Sequence, residues 1–116
     1  MDIKEIDSLL PQAIGGSFGM LWTLQNLDEY PDFLVRRERF FECINVWMRC
    51  GKLLLHRRGV LLTGTIDEQL ALFQNAFPNN DADIDMEVPY GALWFYMDEC
   101  PAEPVWIRDN GRLNYC

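Results

Sequence analysis

Few residues of this sequence have the types and spacing that catalysis or metal binding needs. The one histidine, His56, stands beside two arginines, and the cysteines form no closely spaced pair (Cys43, Cys50, Cys100 and Cys116). Nucleophilic catalysis needs a base beside the nucleophile, and a zinc site needs clustered ligands. The sequence therefore predicts no catalytic residue, no metal site and no cofactor. We expect a structural histidine and reduced, mostly buried thiols.

Carboxylates are more abundant, and one run of them begins like a calcium loop. Residues 81–87 have the sequence DADIDME. An EF-hand needs glycine at the sixth position and glutamate at the twelfth, where this chain has Met86 and Ala92. Asp98 and Glu99 form a second acidic group, but neighbours in an extended chain point to opposite sides and make a poor catalytic pair. Both groups are interpreted as solvated or partner-facing surface.

The distribution of charge favours a basic partner. Ten Lys and Arg residues stand against eighteen Asp and Glu residues, a formal net charge of -8. Nucleic-acid binding draws much of its affinity from neutralised phosphates, so a chain this acidic is a poor candidate for it. Seven basic residues fall within residues 36–58, whereas residues 59–109 carry ten acidic residues and one basic residue, Arg108. Either the two halves neutralise each other, or the acidic half steers a basic protein partner.

The candidate partner-binding residues are the acids of both groups and one aromatic residue among them. Aromatic side chains are the usual energetic anchors of interfaces, although most of those near these acids are expected in the core. The predicted set is Asp81, Asp83, Asp85, Glu87, Asp98, Glu99, Glu103 and Trp94.

Three helices are predicted in the first half of the chain. Residues 2–10 form an amphipathic helix that Pro11 ends or interrupts, and residues 17–27 form a second that begins with a capping serine. The strongest pattern lies in residues 32–50, where apolar residues recur at intervals of three, four and seven. Gly51 is well placed to end this helix in a left-handed conformation.

The second half is predicted to form a small antiparallel sheet. Residues 53–62 indicate a hairpin, and residues 105–108 and 112–116 indicate another, closed by an Asp-Asn-Gly turn. The apolar run 92–97 is predicted to be a strand buried on both faces.

One helix is expected between these hairpins. Residues 65–68 form a capping box that starts it. An irregular acidic loop follows at residues 79–91, in which Ile84 and Met86 could pack onto the fold. The prediction is an α+β fold: N-terminal helices packed on a small antiparallel sheet, with one helix inserted between hairpins, in a single domain of residues 1–116.

The N-terminal residues alternate charged and apolar side chains, without the basic start and apolar run of a signal peptide. No apolar stretch approaches the roughly 18 residues of a membrane span. We therefore expect a cytoplasmic protein that does not act at a membrane.

Several segments together resemble a known family. They are residues 64–69 (GTIDEQ), residues 73–78, the block 94–102 (WFYMDECPA) and the pair 105–106. They are similar to those of a family of small, uncharacterised bacterial proteins, domain of unknown function 596, most strongly in the C-terminal half. The resemblance supplies no catalytic residues. Small acidic proteins of this kind look similar to immunity proteins of bacterial toxin systems, including contact-dependent growth inhibition.

Charge and resemblance together predict a binding protein and no enzyme. The expected function is that of an immunity protein that binds and occludes a cognate toxin domain, expected to be a basic nuclease. Its acidic residues would mimic phosphates or pair with lysines and arginines of the toxin. The alternative is a small intracellular regulatory or adaptor domain, for which a homodimer stays open.

Overall fold

Five helices, one 3₁₀ helix and four strands make up the chain, which confirms the predicted α+β class. The computed structural model describes residues 1–116. In chain order the elements are α1 (Ile3–Ala13), α2 (Phe18–Thr23), α3 (Phe33–Arg49), β1 (Leu53–Arg57), β2 (Val60–Leu61), α4 (Ile66–Ala76), α5 (Asp81–Asp85), the 3₁₀ helix (Leu93–Tyr96), β3 (Glu103–Ile107) and β4 (Leu113–Tyr115). None of the helices has both the length and the apolar character that crossing a membrane requires.

The four strands form one antiparallel sheet in the order β2-β1-β3-β4. Arg58 and Gly59 make the two-residue turn between β1 and β2, with φ angles of 51° and 84°. Positive φ at both central residues gives the turn whose twist matches that of the flanking strands. The other side of β1 pairs with β3, so the sheet joins the two predicted hairpins. One helix was predicted between these hairpins, but the chain has three helical segments there: α4, α5 and the 3₁₀ helix.

The predicted helix caps are present at the central helix and after the first hairpin. The side chain of Asp32 accepts a hydrogen bond from the N–H of Leu34 at the start of α3, and Gly51 beyond its end has a φ of +72°. Thr65 and Glu68 form both bonds of the capping box, each 3.1 Å long. The caps at Asp32 and Thr65 satisfy backbone N–H groups that a helix start would otherwise leave without partners.

The core is built around α3 and is rich in aromatic side chains. Phe40 is fully buried, and its ring packs at 5.2–5.9 Å from the rings of Phe18, Trp22, Phe41, Phe73, Phe77 and Phe95. The indole N–H of Trp106 on β3 donates to the carbonyl of Gly16, at 2.9 Å, and joins the start of the helical half to the sheet.

Two predicted helix boundaries were wrong. Helix α1 continues through Pro11 to Ala13, because Ile14 still donates to Leu10 O and the missing N–H of proline removes only one bond near the helix end. Helix α2 stops at Thr23, four residues before the predicted end, where Gln25 N bonds to Trp22 O in a tighter turn.

The prediction of a strand at residues 92–97 was wrong. Ala92 has left-handed backbone angles (φ 49°, ψ 39°), and the 3₁₀ helix follows. The neighbouring residues Trp94 and Phe95 are both buried in the aromatic core, whereas a strand would send them to opposite faces. Tyr96 remains exposed, and its hydroxyl lies 2.9 Å from that of Ser17.

The acidic loop predicted at residues 79–91 contains the short helix α5. The side chain of Asn80 caps it by accepting from Asp83 N at 2.8 Å. Ile84 is fully buried, but Met86 is exposed, so only one of the two apolar residues packs onto the fold. The acidic side chains are therefore displayed from a defined element of the structure.

Candidate partner-binding site

A partly open cavity of about 430 Å³ lies where residues of α2, α3 and the segment 81–90 meet, and we name it the acidic cavity. The lining residues that define its chemistry are Trp22, Gln25, Arg36, Asp81, Asp85 and Tyr90. Its volume lies within the range of about 300–1,000 Å³ that is usual for ligand pockets.

Arg36 is the buried charge of this cavity. It is only 3% exposed, and its guanidinium donates to both carboxylate oxygens of Asp81, at 2.7 and 2.6 Å. Its Nε donates to Tyr30 O at 2.7 Å, and the guanidinium lies 5.3 Å from the ring centre of Trp22. These contacts satisfy the charge and tie α3 to α5 and to the loop before α3.

Two acceptors in the cavity wall are not fully used. Gln25 is 1% exposed; its Nε2 donates to Leu21 O, but its Oε1 has no hydrogen-bond partner. Asp85 accepts one bond, from Ala92 N at 3.1 Å, and has no ion-pair partner. A buried acceptor without a partner is costly, so Gln25 is an unusual residue for this wall.

The rim beside the cavity displays apolar side chains in a strained backbone. Met86, Val88 and Tyr90 are all exposed, Tyr90 by 75%. The backbone of Met86, Tyr90 and Ala92 has φ of 60°, 60° and 49°, although none is glycine. Such angles cost on the order of 1–3 kcal/mol each and are concentrated at functional sites. The strain therefore marks the segment from Met86 to Ala92 as a candidate binding surface.

The first predicted group of acids lies at or beside this cavity. Asp81 and Asp85 line it, and Asp81 is neutralised by Arg36. Asp83 and Glu87 are exposed and have no ion-pair partner. Three of these four predicted residues therefore present free negative charge.

The second predicted group is held by the first hairpin instead. Asp98 pairs with Arg57 and Arg58 at the turn, and Glu103 lies 3.6 Å from His56. Glu99 is exposed without an ion-pair partner. No hydrogen bond or ion pair joins this group to residues 81–87. Internal neutralisation, one of the two alternatives for the charge pattern, thus accounts for part of it.

The aromatic residue chosen as an interface anchor lies in the core. Trp94 is 7% exposed and packs against Phe73 and Phe77, which leaves little of it for a partner. Its neighbours Tyr90 and Tyr96 are the exposed aromatic residues of this region. In the 3₁₀ helix Trp94 faces the core and Tyr96 faces solvent. The apolar sequence of residues 92–97 does not distinguish these two positions.

His56 and two of the four thiols are buried. His56 is buried; its Nδ1 accepts from Gly59 N at 3.0 Å, so the Nε2–H donates to Cys116 O at 2.8 Å. Burial raises the pKa of Cys43 to about 12 and that of Cys100 to about 11, so both stay protonated at neutral pH. Cys50 and Cys116 are exposed, so only half of the thiols are buried, fewer than expected. No three His, Cys, Asp or Glu side chains lie together as metal ligands.

The sequence-based choice of residues missed Arg36, Gln25 and Tyr90. A signal existed for Arg36, because it lies three residues after Phe33 and four before Phe40, on the apolar stripe of α3. No local signal marks Gln25, whose burial depends on packing between distant segments.

Comparisons with known proteins agree with the observed fold. The model of a family described as protein of unknown function, DUF596, matches residues 48–116. Among solved structures, an uncharacterised protein conserved in bacteria, from Neisseria meningitidis, is similar with a TM-score of 0.73 and 24% identity, over 95% of this chain and 88% of that chain. That likeness shows the fold alone. No curated protein matches the chain.

Proposed function

Because this chain belongs to DUF596, a family of proteins of unknown function, its role must be inferred from its own surface, and we propose that it is an immunity protein that binds a cognate bacterial toxin domain and occludes it. The proposed toxin domain is basic, because a nuclease needs positively charged groups to bind the phosphates of its substrate. The immunity protein covers that basic surface and so excludes the substrate.

One observation carries the proposal: free negative charge and exposed apolar side chains occur together on one segment. Asp83 and Glu87 are unpaired and exposed, and Met86, Val88 and Tyr90 are exposed between and beside them. Charged residues steer a partner of opposite sign, whereas buried aromatic and methionine side chains supply the affinity of an interface. A loop that contacts only solvent would not need exposed apolar side chains.

The net charge supports the same mechanism. A chain of net charge -8 attracts a basic protein over about a Debye length, and such steering raises association rates by about tenfold to a thousandfold. A standard interface covers about 800 Å² on each partner, and the whole accessible surface of this protein is 6650 Å². One face of the protein is therefore large enough for an interface of standard size.

A second candidate function is a homodimeric regulatory or adaptor domain. Strand β4 lies at the edge of the sheet, and its residues Leu113 and Tyr115 are exposed. A free edge with exposed apolar side chains is suited to pairing with another copy. Sedimentation at micromolar concentration distinguishes the two: a monomer argues against the dimeric domain.

The test of the proposed function begins with gene order. The proposal expects a toxin domain to be encoded immediately upstream of this gene, and that domain is produced in a susceptible bacterium, alone and together with this protein. We expect growth arrest by the toxin alone and normal growth with both, together with a complex that high salt loosens. Unrelieved arrest, with no complex at low salt, would contradict the proposal.

A further inference from the structure

We propose that the acidic cavity receives one lysine or arginine side chain of the protein partner, with Asp85 as its counter-ion and with Gln25 and Tyr90 in the surrounding wall. This inference rests on the proposed function for the identity of the partner. The chemistry of the cavity can be tested without that partner.

The charged residues that line the cavity leave one negative charge without a counter-ion. Its lining contains a single basic group, Arg36, and two carboxylates, Asp81 and Asp85. Arg36 is committed to Asp81 by two hydrogen bonds, so these two charges cancel. The charge of Asp85 remains, with one of its oxygens free of protein hydrogen bonds. A single bound cation would make the cavity neutral.

The hydrogen-bonding groups of the cavity also favour a donor over an acceptor. Gln25 Oε1 is a buried acceptor without a partner, and its amide nitrogen is already bound to Leu21 O. Arg36 directs its donors to Tyr30 O, Pro31 O and Asp81, so it has little left for an anion. Ammonium and guanidinium groups carry only donors. A lysine or arginine side chain therefore supplies donors for the free oxygen of Asp85, and for Gln25 Oε1 once that buried amide turns toward the cavity.

The surroundings indicate that the cation belongs to a protein. Met86 and Val88 are exposed on the same chain segment whose residues Asp85, Pro89 and Tyr90 line the cavity. A small free amine would leave these side chains uncovered, whereas a protein surface that inserts one side chain would bury them. Tyr90, exposed and part of the lining, provides an aromatic face on which a cation packs favourably.

A titration with a single amino-acid probe tests the cavity directly. N-acetyl-arginine methylamide is added to the isotope-labelled protein, and the indole N–H of Trp22 and the side-chain amide of Gln25 are followed by NMR. The citrulline analogue has nearly the same shape but no charge. We expect both signals to shift with the arginine probe, and the citrulline probe to bind about tenfold more weakly.

Two variants locate the site, and one serves as a matched control. Asp85→Asn removes the charge but keeps an oxygen to accept from Ala92 N, and Tyr90→Asn removes the ring while tolerating a left-handed backbone. Each should weaken the arginine probe several-fold. Asp109→Asn removes the same charge from an exposed turn outside the cavity and should leave binding unchanged. Equal binding of both probes, or equal weakening by Asp85→Asn and Asp109→Asn, would overturn the inference.

The two proposals can fail separately. Protection against the toxin, with no selective binding of the arginine probe, overturns the role of the cavity and leaves the immunity function standing. Selective binding that Asp85→Asn abolishes, in a protein that gives no protection, supports the cation cavity and overturns the immunity function.

Discussion

Arginine–aspartate ion pairs join the basic and acidic halves of the molecule at several places, and two of them, Arg36–Asp81 and Arg58–Asp98, differ strongly in burial. At the cavity, the side chain of Arg36 is 4% exposed and bonds both oxygens of Asp81. At the hairpin turn, Arg58 and Asp98 are 70% and 81% exposed. The first pair replaces the hydration of its arginine by protein contacts, whereas the second stays in water.

A count of charged residues gives an incomplete account of the surface, because it does not show which acidic residues are already paired with arginines. Both pairs remove one acid from the set available to a partner, so Asp81 and Asp98 are poor candidates for steering. Asp83 and Glu87 keep their charge because no basic side chain lies within ion-pair distance. The acidic residues that form no ion pair with an arginine therefore define the candidate binding surface.

The largest expected effect is on stability, at the buried pair. Asp81→Asn leaves the buried guanidinium of Arg36 without its counter-ion, and we expect a loss of about 2 kcal/mol in the free energy of unfolding, because Asp81 itself is half-buried. Urea denaturation of the variant and the parent measures it. A loss below about 0.5 kcal/mol would show that the pair is no more than a surface contact.

A smaller effect is expected on the rate of binding. Reversing both free charges, Asp83→Lys with Glu87→Lys, should slow association with the toxin domain about tenfold at low salt and flatten its salt dependence. Surface plasmon resonance at several salt concentrations measures both quantities. The control, Asp7→Lys with Asp109→Lys, changes the net charge equally at exposed positions outside the segment. If both double variants slow association to the same extent, net charge alone steers the partner.

The smallest effect is expected at the exposed pair. Asp98→Asn should change the free energy of unfolding by at most about 0.5 kcal/mol, because water and salt screen both partners. Thermal unfolding at low and high salt measures the change. A loss comparable to that of Asp81→Asn would remove the contrast between the two pairs.

Elements with strong local signals were predictable. The ends of α3 follow from the cap at Asp32 and the left-handed Gly51, and the start of α4 follows from its capping box. The antiparallel hairpins follow from turn residues between apolar runs. In each case the deciding interactions lie within a few residues of one another, so the sequence contains them locally.

The site could be predicted only in part, because long-range packing decides it. Acidic residues 81–87 were identified from their composition, but the run 92–97 did not reveal that Trp94 and Phe95 both face the core. The cavity itself combines Gln25 and Arg36 with residues about fifty positions later in the chain. Such a combination is set by how α3 meets α5, which no local pattern encodes.

The insertion of three helical segments between β1 and β3 has a consequence for synthesis. When β1 and β2 have left the ribosome, one edge of β1 is unpaired, and it stays so until β3 follows the whole insertion. An open apolar edge invites aggregation of nascent chains. The pairing of β1 with β3 closes a long loop and is therefore a slow step of folding. We therefore expect the yield of folded protein to fall when the synthesis of residues up to β3 is slowed.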